Sequence, residues 1–77
     1  MEYLEEVKEI IAGILNMPVE TLDPNAEMTE VDGWDSMRNI MILSAMEEHY
    51  DLMFPEDDVF DLTSVAAIAE EIEKLKG

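Results

Sequence analysis

Ser36 is the residue of this chain whose type and position best suit covalent chemistry. It follows Asp35 at the start of a stretch with helical periodicity, and aspartate is a favoured N-cap because it accepts from the free N–H groups of the first turn. The hydroxyl of Ser36 is therefore predicted to lie at a helix N-terminus, where backbone donors and the helix dipole favour an attached or approaching phosphate. Position alone is weak evidence, since a serine is also an ordinary first-turn residue.

The helix that is predicted to begin at Ser36 carries more apolar residues than one face can hold. Successive residues step about 100° around a helix axis, so the apolar run from Ile40 to Leu43 points in most directions. Some of these side chains must meet solvent or a partner. We predict a docking face at Met37, Ile40 and Met41, because methionine suits adaptable binding surfaces. The alternative is a central helix that contributes these residues to the core.

Other kinds of chemistry find little support in the sequence. The chain has no cysteine, which excludes disulfides, thiolate zinc sites and cysteine nucleophiles. His49 is the single histidine and is expected at the surface, so we predict no catalytic residues and no enzymatic activity. Asp23, Asn25 and Glu27 alternate as in a calcium-binding loop, but Met28 stands where glycine is needed. We therefore expect no metal site.

Periodicity and turn residues predict the elements that position Ser36. A first amphipathic helix is expected over residues 2–15, followed by a long, largely irregular connection over 18–34. A second helix is expected over 36–50, and one short helical turn over 56–60. A last helix is expected to be capped by Thr63 or Ser64, with an apolar face formed by Val65, Ile68, Ala69, Ile72 and Leu75. These elements predict an all-α fold: a small four-helix bundle of three longer helices and a short one.

Length and charge restrict the partners. A chain of 77 residues predicts a single domain with a modest core. Its net charge of −16 opposes binding to nucleic acid or to an anionic membrane and favours proteins with basic patches. Self-repulsion favours a monomer. A cytoplasmic location is expected, because acidic residues replace the basic start of a signal peptide and the longest uncharged stretch, 10–19, is too short to span a bilayer.

The order of these features resembles that of the acyl carrier proteins. Gly33-Trp34-Asp35-Ser36-Met37 resembles their Asp-Ser-Leu/Met signature, and the helix that follows ends in Met46-Glu47-Glu48-His49-Tyr50. Leu62-Thr63-Ser64-Val65 then opens the last helix in the expected place. The resemblance covers nearly the whole chain, as one acyl carrier domain over residues 1–77. The tripeptide alone would be weak evidence, but its position in a short, very acidic helical chain makes it specific.

The resemblance implies a function as well as a fold. Ser36 would receive 4′-phosphopantetheine from coenzyme A through a separate, Mg²⁺-dependent phosphopantetheinyl transferase. The prosthetic thiol would then carry acyl or aminoacyl groups as thioesters to acyl-loading and acyl-processing enzymes. The residues that would be recognised by these partners are Asp35, Met37, Ile40, Met41, Glu47 and Glu48. Acidic residues after and within the second helix would attract basic docking patches: Glu47, Glu48, Asp51, Glu56, Asp57, Asp58 and Asp61.

Three positions depart from the pattern of housekeeping fatty-acid carriers. Arg38 and Met41 stand where acidic residues are usual, and Ser44 stands where methionine is common. Trp34 ahead of Asp-Ser is more typical of carriers dedicated to secondary metabolism. We therefore expect a specialised, stand-alone member. An aminoacyl, D-alanyl or peptidyl carrier of the same fold is one alternative, and an acidic non-carrier module such as a nucleic-acid mimic is another.

Overall fold

Three α-helices form the framework of the computed structural model, which describes residues 3–76. They are α1 (Leu4–Leu15), α2 (Ser36–Tyr50) and α3 (Val65–Lys76). Short 3₁₀ turns lie in the connections at Val19–Thr21, Met28–Glu30 and Val59–Asp61. No β-strand occurs among these described residues. The predicted all-α architecture is therefore confirmed.

The predicted short helical turn after Pro55 is present as a 3₁₀ turn at Val59–Asp61, which a further tight turn precedes. The amide of Asp58 donates to the carbonyl oxygen of Pro55 at 3.0 Å, and that of Asp61 donates to the carbonyl oxygen of Asp58, also at 3.0 Å. Both bonds span three residues, which is the spacing of β-turns and 3₁₀ helices. The helical part is therefore confined to Val59–Asp61.

One core joins the three helices, because α1 packs against both α2 and α3. Each helix turns an apolar stripe inwards, as the 3.6-residue period requires. The last residue of the predicted α3 face, Leu75, is exposed in the final turn. The buried apolar residues are Val7, Ile11, Ala12, Leu22, Trp34, Ile42, Leu43, Met46, Tyr50, Phe54, Leu62, Val65, Ile68, Ala69 and Ile72.

The connection between α1 and α2 is fastened to the start of α3. Met28 donates its amide to the carbonyl oxygen of Thr63 at 2.7 Å, and the Thr63 hydroxyl donates to Glu27 Oε1 at 2.8 Å. The amide of Ala66 donates to the carbonyl oxygen of Pro24 at 3.0 Å. These bonds and two 3₁₀ turns give this segment a defined path, although the sequence predicted little structure there.

The ends of α1 and α3 show how short-range signals fix the helix limits. α1 ends at Leu15, and the cap residue Asn16 has a left-handed conformation (φ 57°), which asparagine tolerates better than most residues. α3 is capped by Ser64, whose Oγ accepts from the amide of Ala67 at 3.1 Å. Ser64 is therefore the cap of the two candidates, since the Thr63 hydroxyl is bonded to Glu27. No helix in the described part of the chain has the length and apolar character needed to cross a membrane.

Truncation of a core residue in α3 should destabilise the whole bundle. Ile68 is fully buried, so Ile68→Ala should lower the free energy of unfolding by about 2–5 kcal/mol through lost burial and a residual cavity. Met53→Ala is the control, because that side chain is 81% exposed and should change stability by less than about 0.5 kcal/mol. Urea unfolding followed by circular dichroism measures both. Equal losses in the two variants would contradict the assigned core.

Candidate functional site

The N-terminus of α2 begins as the sequence predicts. Asp35 has an extended backbone, and its Oδ1 accepts from the amide of Arg38 at 2.8 Å. Gly33 turns the chain towards this cap with a φ of +87°, a conformation that side chains with a Cβ rarely adopt. Ser36 is the first residue of the helix and is exposed. Its hydroxyl is therefore accessible at a helix N-terminus.

A buried hydrogen-bonded link holds this end of α2 in place. The indole Nε1 of Trp34 donates to Asn39 Oδ1 at 3.0 Å, and Asn39 Nδ2 donates to the carbonyl oxygen of Leu62 at 3.3 Å. Trp34 and Asn39 are both buried. Because Trp34 lies two residues before Ser36 and Asn39 three residues after it, the link fixes the backbone on both sides of Ser36. Sequence analysis missed Asn39, although a lone amide within an apolar helical stretch is a signal of a buried polar contact.

Arg38 joins the same turn to α1. Its Nη1 donates to the carbonyl oxygen of Ile14 at 3.0 Å. This carbonyl belongs to the last turn of α1, where carbonyl groups lack intrahelical partners and where the helix dipole favours a cation. α1 has no basic residue of its own in that turn. Arg38, which stands where fatty-acid carriers usually have an acidic residue, therefore has a structural role, because it binds the end of α1.

The predicted docking face is exposed. Met37, Ile40 and Met41 keep 74%, 66% and 51% of their surface accessible, whereas Ile42 and Leu43 turn into the core. Exposed apolar side chains grouped on one helix face are a usual mark of an interaction surface. The structure therefore leaves these three side chains exposed while the opposite side of α2 contributes to the core, and their role in docking stays a prediction.

A groove of about 350 Å³ lies beside Ser36. It is lined mainly by apolar atoms, which come from the connection between α1 and α2, from α2 and from the segment that leads to α3. The lining residues are Met28, Ser36, Asn39, Ile40, Val59, Phe60 and Thr63. Phe60 forms part of this wall and is nevertheless 86% exposed. Sequence analysis did not single out Phe60, because its neighbours Val59 and Asp61 give no pattern that distinguishes a core residue from a groove residue.

The predicted acidic recognition residues differ in exposure and in whether their carboxylates are hydrogen-bonded to the backbone. Glu48 is exposed on α2. Glu47 is partly buried, and its Oε2 accepts from the amide of Phe54 at 2.9 Å, which fixes the turn after the helix. The carboxylate of Asp35 is similarly bonded to the first turn. Of the three carboxylates predicted to meet a partner, Asp35 and Glu47 thus hold backbone amides, whereas Glu48 is exposed on the helix.

His49 lies at the other end of α2. Its Nε2 is 3.4 Å from Glu6 Oε1, which also accepts from the Tyr50 hydroxyl at 2.6 Å. The hydrogen bond from Tyr50 lowers the pKa of Glu6, and burial together with Glu6 raises the pKa of Tyr50. Thirteen residues of helix place His49 about 20 Å from Ser36 along the axis. The histidine therefore cannot act as a base for the serine within one chain.

The described residues hold no group of three or more histidine, aspartate or glutamate side chains that could bind a metal ion. The arrangement around Ser36 instead suits an organic phosphate ester. The hydroxyl is open to an incoming enzyme, a helix N-terminus favours the phosphate, and an apolar groove lies next to it.

Comparisons with known proteins agree with this geometry. A family model described as "Phosphopantetheine attachment site" matches residues 5–72. An acyl carrier protein of Akkermansia muciniphila is 32% identical over 73 residues, which cover 95% of this chain and 91% of the relative. An acyl carrier protein of Cyanidioschyzon merolae is 31% identical over 64 residues, which cover 83% of this chain and 70% of the relative.

A solved structure supports the fold. The solution NMR structure of a holo acyl carrier protein from Nitrosomonas europaea superimposes with a TM-score of 0.80 and covers 96% of this chain and 95% of that one. The two sequences are 24% identical, so this match bears on the arrangement of the helices.

The link between Trp34 and Asn39 should appear as a coupling energy. Trp34→Phe removes the indole donor and leaves a buried amide oxygen unpaired, which costs about 1–3 kcal/mol in addition to the lost ring volume. In an Asn39→Leu background the acceptor is already absent, so Trp34→Phe should cost less by about 1 kcal/mol or more. Urea unfolding of the four proteins in this double-mutant cycle measures the difference. Additive losses would contradict the link.

Proposed function

The chain belongs to the acyl carrier protein family, and from this premise we propose that Ser36 is its attachment point for 4′-phosphopantetheine. The three serines of the chain support this choice. Ser64 is buried as the cap of α3, and Ser44 lies in the middle of α2, away from any helix end. Ser36 combines an exposed hydroxyl with a helix N-terminus, and this combination carries the proposal.

The chain supplies the acceptor for this modification and leaves its catalysis to a phosphopantetheinyl transferase. The oxygen of Ser36 bonds to the phosphorus that carries pantetheine, and the P–O bond of the pyrophosphate bridge in coenzyme A breaks. The nucleotide phosphate is the leaving group, and the transferase removes the hydroxyl proton of Ser36. Of the groups that could act as a base, Asp35 holds the amide of Arg38 through its Oδ1, and His49 lies at the far end of the helix. We therefore propose a carrier and not an enzyme.

The prosthetic group, once attached, supplies a thiol that holds an acyl or aminoacyl group as a thioester. The residues around Ser36 position that group. The first-turn N–H groups of α2 lack intrahelical partners and complement the phosphate, while Asp35 keeps the turn wound. The groove formed with Ile40 and Phe60 offers an apolar surface next to the attachment point.

Partner enzymes would meet α2 by its outward face. We assign contact to Met37, Ile40, Met41 and Glu48, which are exposed. Asp35 and Glu47 would act on recognition through the backbone that they hold, because their carboxylates are bonded to it. The net charge of −16 would steer the chain towards basic patches on the transferase and on acyl-processing enzymes, an effect that salt weakens.

The same face supports a specialised carrier. Three apolar side chains occupy its first half, and the cation of Arg38 lies beside them. A partner matched to an acidic helix would leave this apolar surface uncovered and would meet a like charge, which reduces binding to the wrong enzyme. An aminoacyl, D-alanyl or peptidyl carrier would share these features, because the loading enzyme selects the cargo. Family membership favours all of these carriers over an acidic nucleic-acid mimic. Charge repulsion supports a monomer, and the match over residues 5–72 supports one carrier domain in the given sequence.

Modification should depend on one hydroxyl. After incubation with coenzyme A, Mg²⁺ and a broad-specificity transferase, the wild-type chain should gain the mass of one phosphopantetheinyl group, and Ser36→Ala should gain none. Ser44→Ala is the matched control, because it removes an exposed hydroxyl from the same helix and should be modified like wild type. Intact-mass spectrometry gives the answer. Modification of Ser36→Ala would refute the assignment.

The apolar face should determine how well an enzyme engages the chain. Ile40→Ser should lower the kcat/KM of the transferase about tenfold, because truncation of a central apolar contact costs at least about 1–2 kcal/mol. Met53→Ser is the control, since it changes an apolar residue outside α2 that is even more exposed than Ile40. Circular dichroism must show both variants folded. Equal rates for Ile40→Ser and wild type would place the docking surface elsewhere.

A further inference from the structure

The groove beside Ser36 differs from the rest of this acidic surface because its lining carries no charge. Twenty of the 77 residues are aspartate or glutamate, yet none of the residues that line the groove has a charged side chain. An anion placed at Ser36 therefore meets no like charge from this lining, and an apolar group inside the groove displaces water from no charged side chain. The groove suits a ligand in which an apolar segment follows an anion.

Two exposed apolar side chains line the groove from different elements. Ile40 belongs to α2 and is 66% exposed, and Phe60 belongs to the turn Val59–Asp61 and is 86% exposed. The turn is held on the core on both sides of Phe60, because Val59 packs against the core and Leu62 is part of it. Phe60 is therefore kept outside the core, where its ring offers apolar surface to a ligand in the groove.

The polar side chains of the groove are already engaged with the chain itself. The amide group of Asn39 accepts from Trp34 and donates to the carbonyl oxygen of Leu62. The hydroxyl of Thr63 donates to Glu27. A ligand in the groove therefore gains more from apolar contact than from hydrogen bonds.

The group that we propose for Ser36 has an anion and an apolar segment in this order. In 4′-phosphopantetheine the phosphate is followed by a methylene and then by a carbon with two methyl groups, the pantoyl carbon. Free N–H groups in the first turn of α2 favour the phosphate next to Ser36. The pantoyl carbon is then the first apolar segment to meet the groove, whereas the thiol and its cargo lie at the far end of the arm.

We propose that Ile40 and Phe60 form a pantoyl site, in which the two methyl groups of the arm pack between these side chains. The inference rests on the proposed attachment at Ser36. Because Ser36 itself lines the groove, the tether raises the effective concentration of the methyl groups there, so a weak apolar contact is enough to hold them. Phe60 is thus a positioning residue, which holds the near half of the arm on the chain and leaves the thiol end free to reach enzymes.

Nuclear Overhauser effects from the arm test the pantoyl site in the holo chain. A transferase attaches an arm with ¹³C-labelled pantoyl methyl groups from labelled coenzyme A, and intact mass shows that the arm is present. We expect cross-peaks from these methyl groups to the ring protons of Phe60 and to the side chain of Ile40. Met53 is also largely exposed but does not line the groove, so its side chain should show none.

Three variants separate a specific site from general apolar contact. Phe60→Ser removes the ring, so the cross-peaks from the arm to Ile40 should fall about fivefold or more, because loss of the apolar contact lowers the occupied fraction. Phe60→Leu keeps an apolar side chain at this position and should retain them. Met53→Ser is the matched control and should behave like wild type. Circular dichroism checks that all three are folded, as expected for changes at exposed positions.

Absence of cross-peaks to Ile40 and Phe60 in a fully modified wild-type chain would overturn the pantoyl site. Equal cross-peaks to Ile40 in wild type and in Phe60→Ser would also overturn it. Either result would leave the proposed attachment unaffected, because the gain in mass is measured separately. A chain that gains no arm would instead refute the proposed function, and the pantoyl site with it.

Discussion

The buried amide of Asn39 is the contact on which the geometry around Ser36 depends. Its oxygen accepts from Trp34 and its nitrogen donates to the carbonyl group of Leu62, so one side chain joins the approach to α2, the helix itself and the approach to α3. A buried amide left without partners costs about 1–3 kcal/mol. Rotation of α2 about its axis would break both bonds at once. The rotation that satisfies Asn39 is the same one that keeps Ser36 and the apolar face Met37, Ile40 and Met41 exposed.

Three of the four cations of this chain contact its own helices, which leaves much of the acidic surface without a neutralising partner. Of four lysine and arginine residues, Arg38 donates to the last turn of α1 and Lys76 donates to the carbonyl oxygen of Tyr50 at the end of α2. Both positions are helix C-termini, where a cation is most favourable. Lys74 is close to Glu71. The strong negative field that should guide partners to the chain therefore coexists with local stabilisation of the framework.

The helices could be predicted because their limits depend on neighbours in sequence. Asp35 caps α2 through a bond that spans three residues, and α2 ends at Tyr50 as expected. The predicted first helix, 2–15, agrees with α1 at its C-terminus, and its first residue lies outside the described residues. Contacts between residues that are far apart in sequence could not be predicted, because amphipathic patterns do not show which residues meet. The attachment of the long connection to Thr63 and the buried position of Glu71 are examples.

The candidate site likewise combines features that local sequence predicts with features that only the fold determines. Ser36 and the exposed α2 face follow from local spacing. The roles of Asn39, Arg38 and Phe60 depend on elements that only the fold brings together.

The central claim is that this fold presents one hydroxyl for phosphopantetheine, and the most direct measurement is fragmentation mass spectrometry of peptides from the modified wild-type chain. The account predicts the phosphopantetheinyl group on Ser36 alone. Its location on Ser44, Ser64 or a threonine would contradict the account.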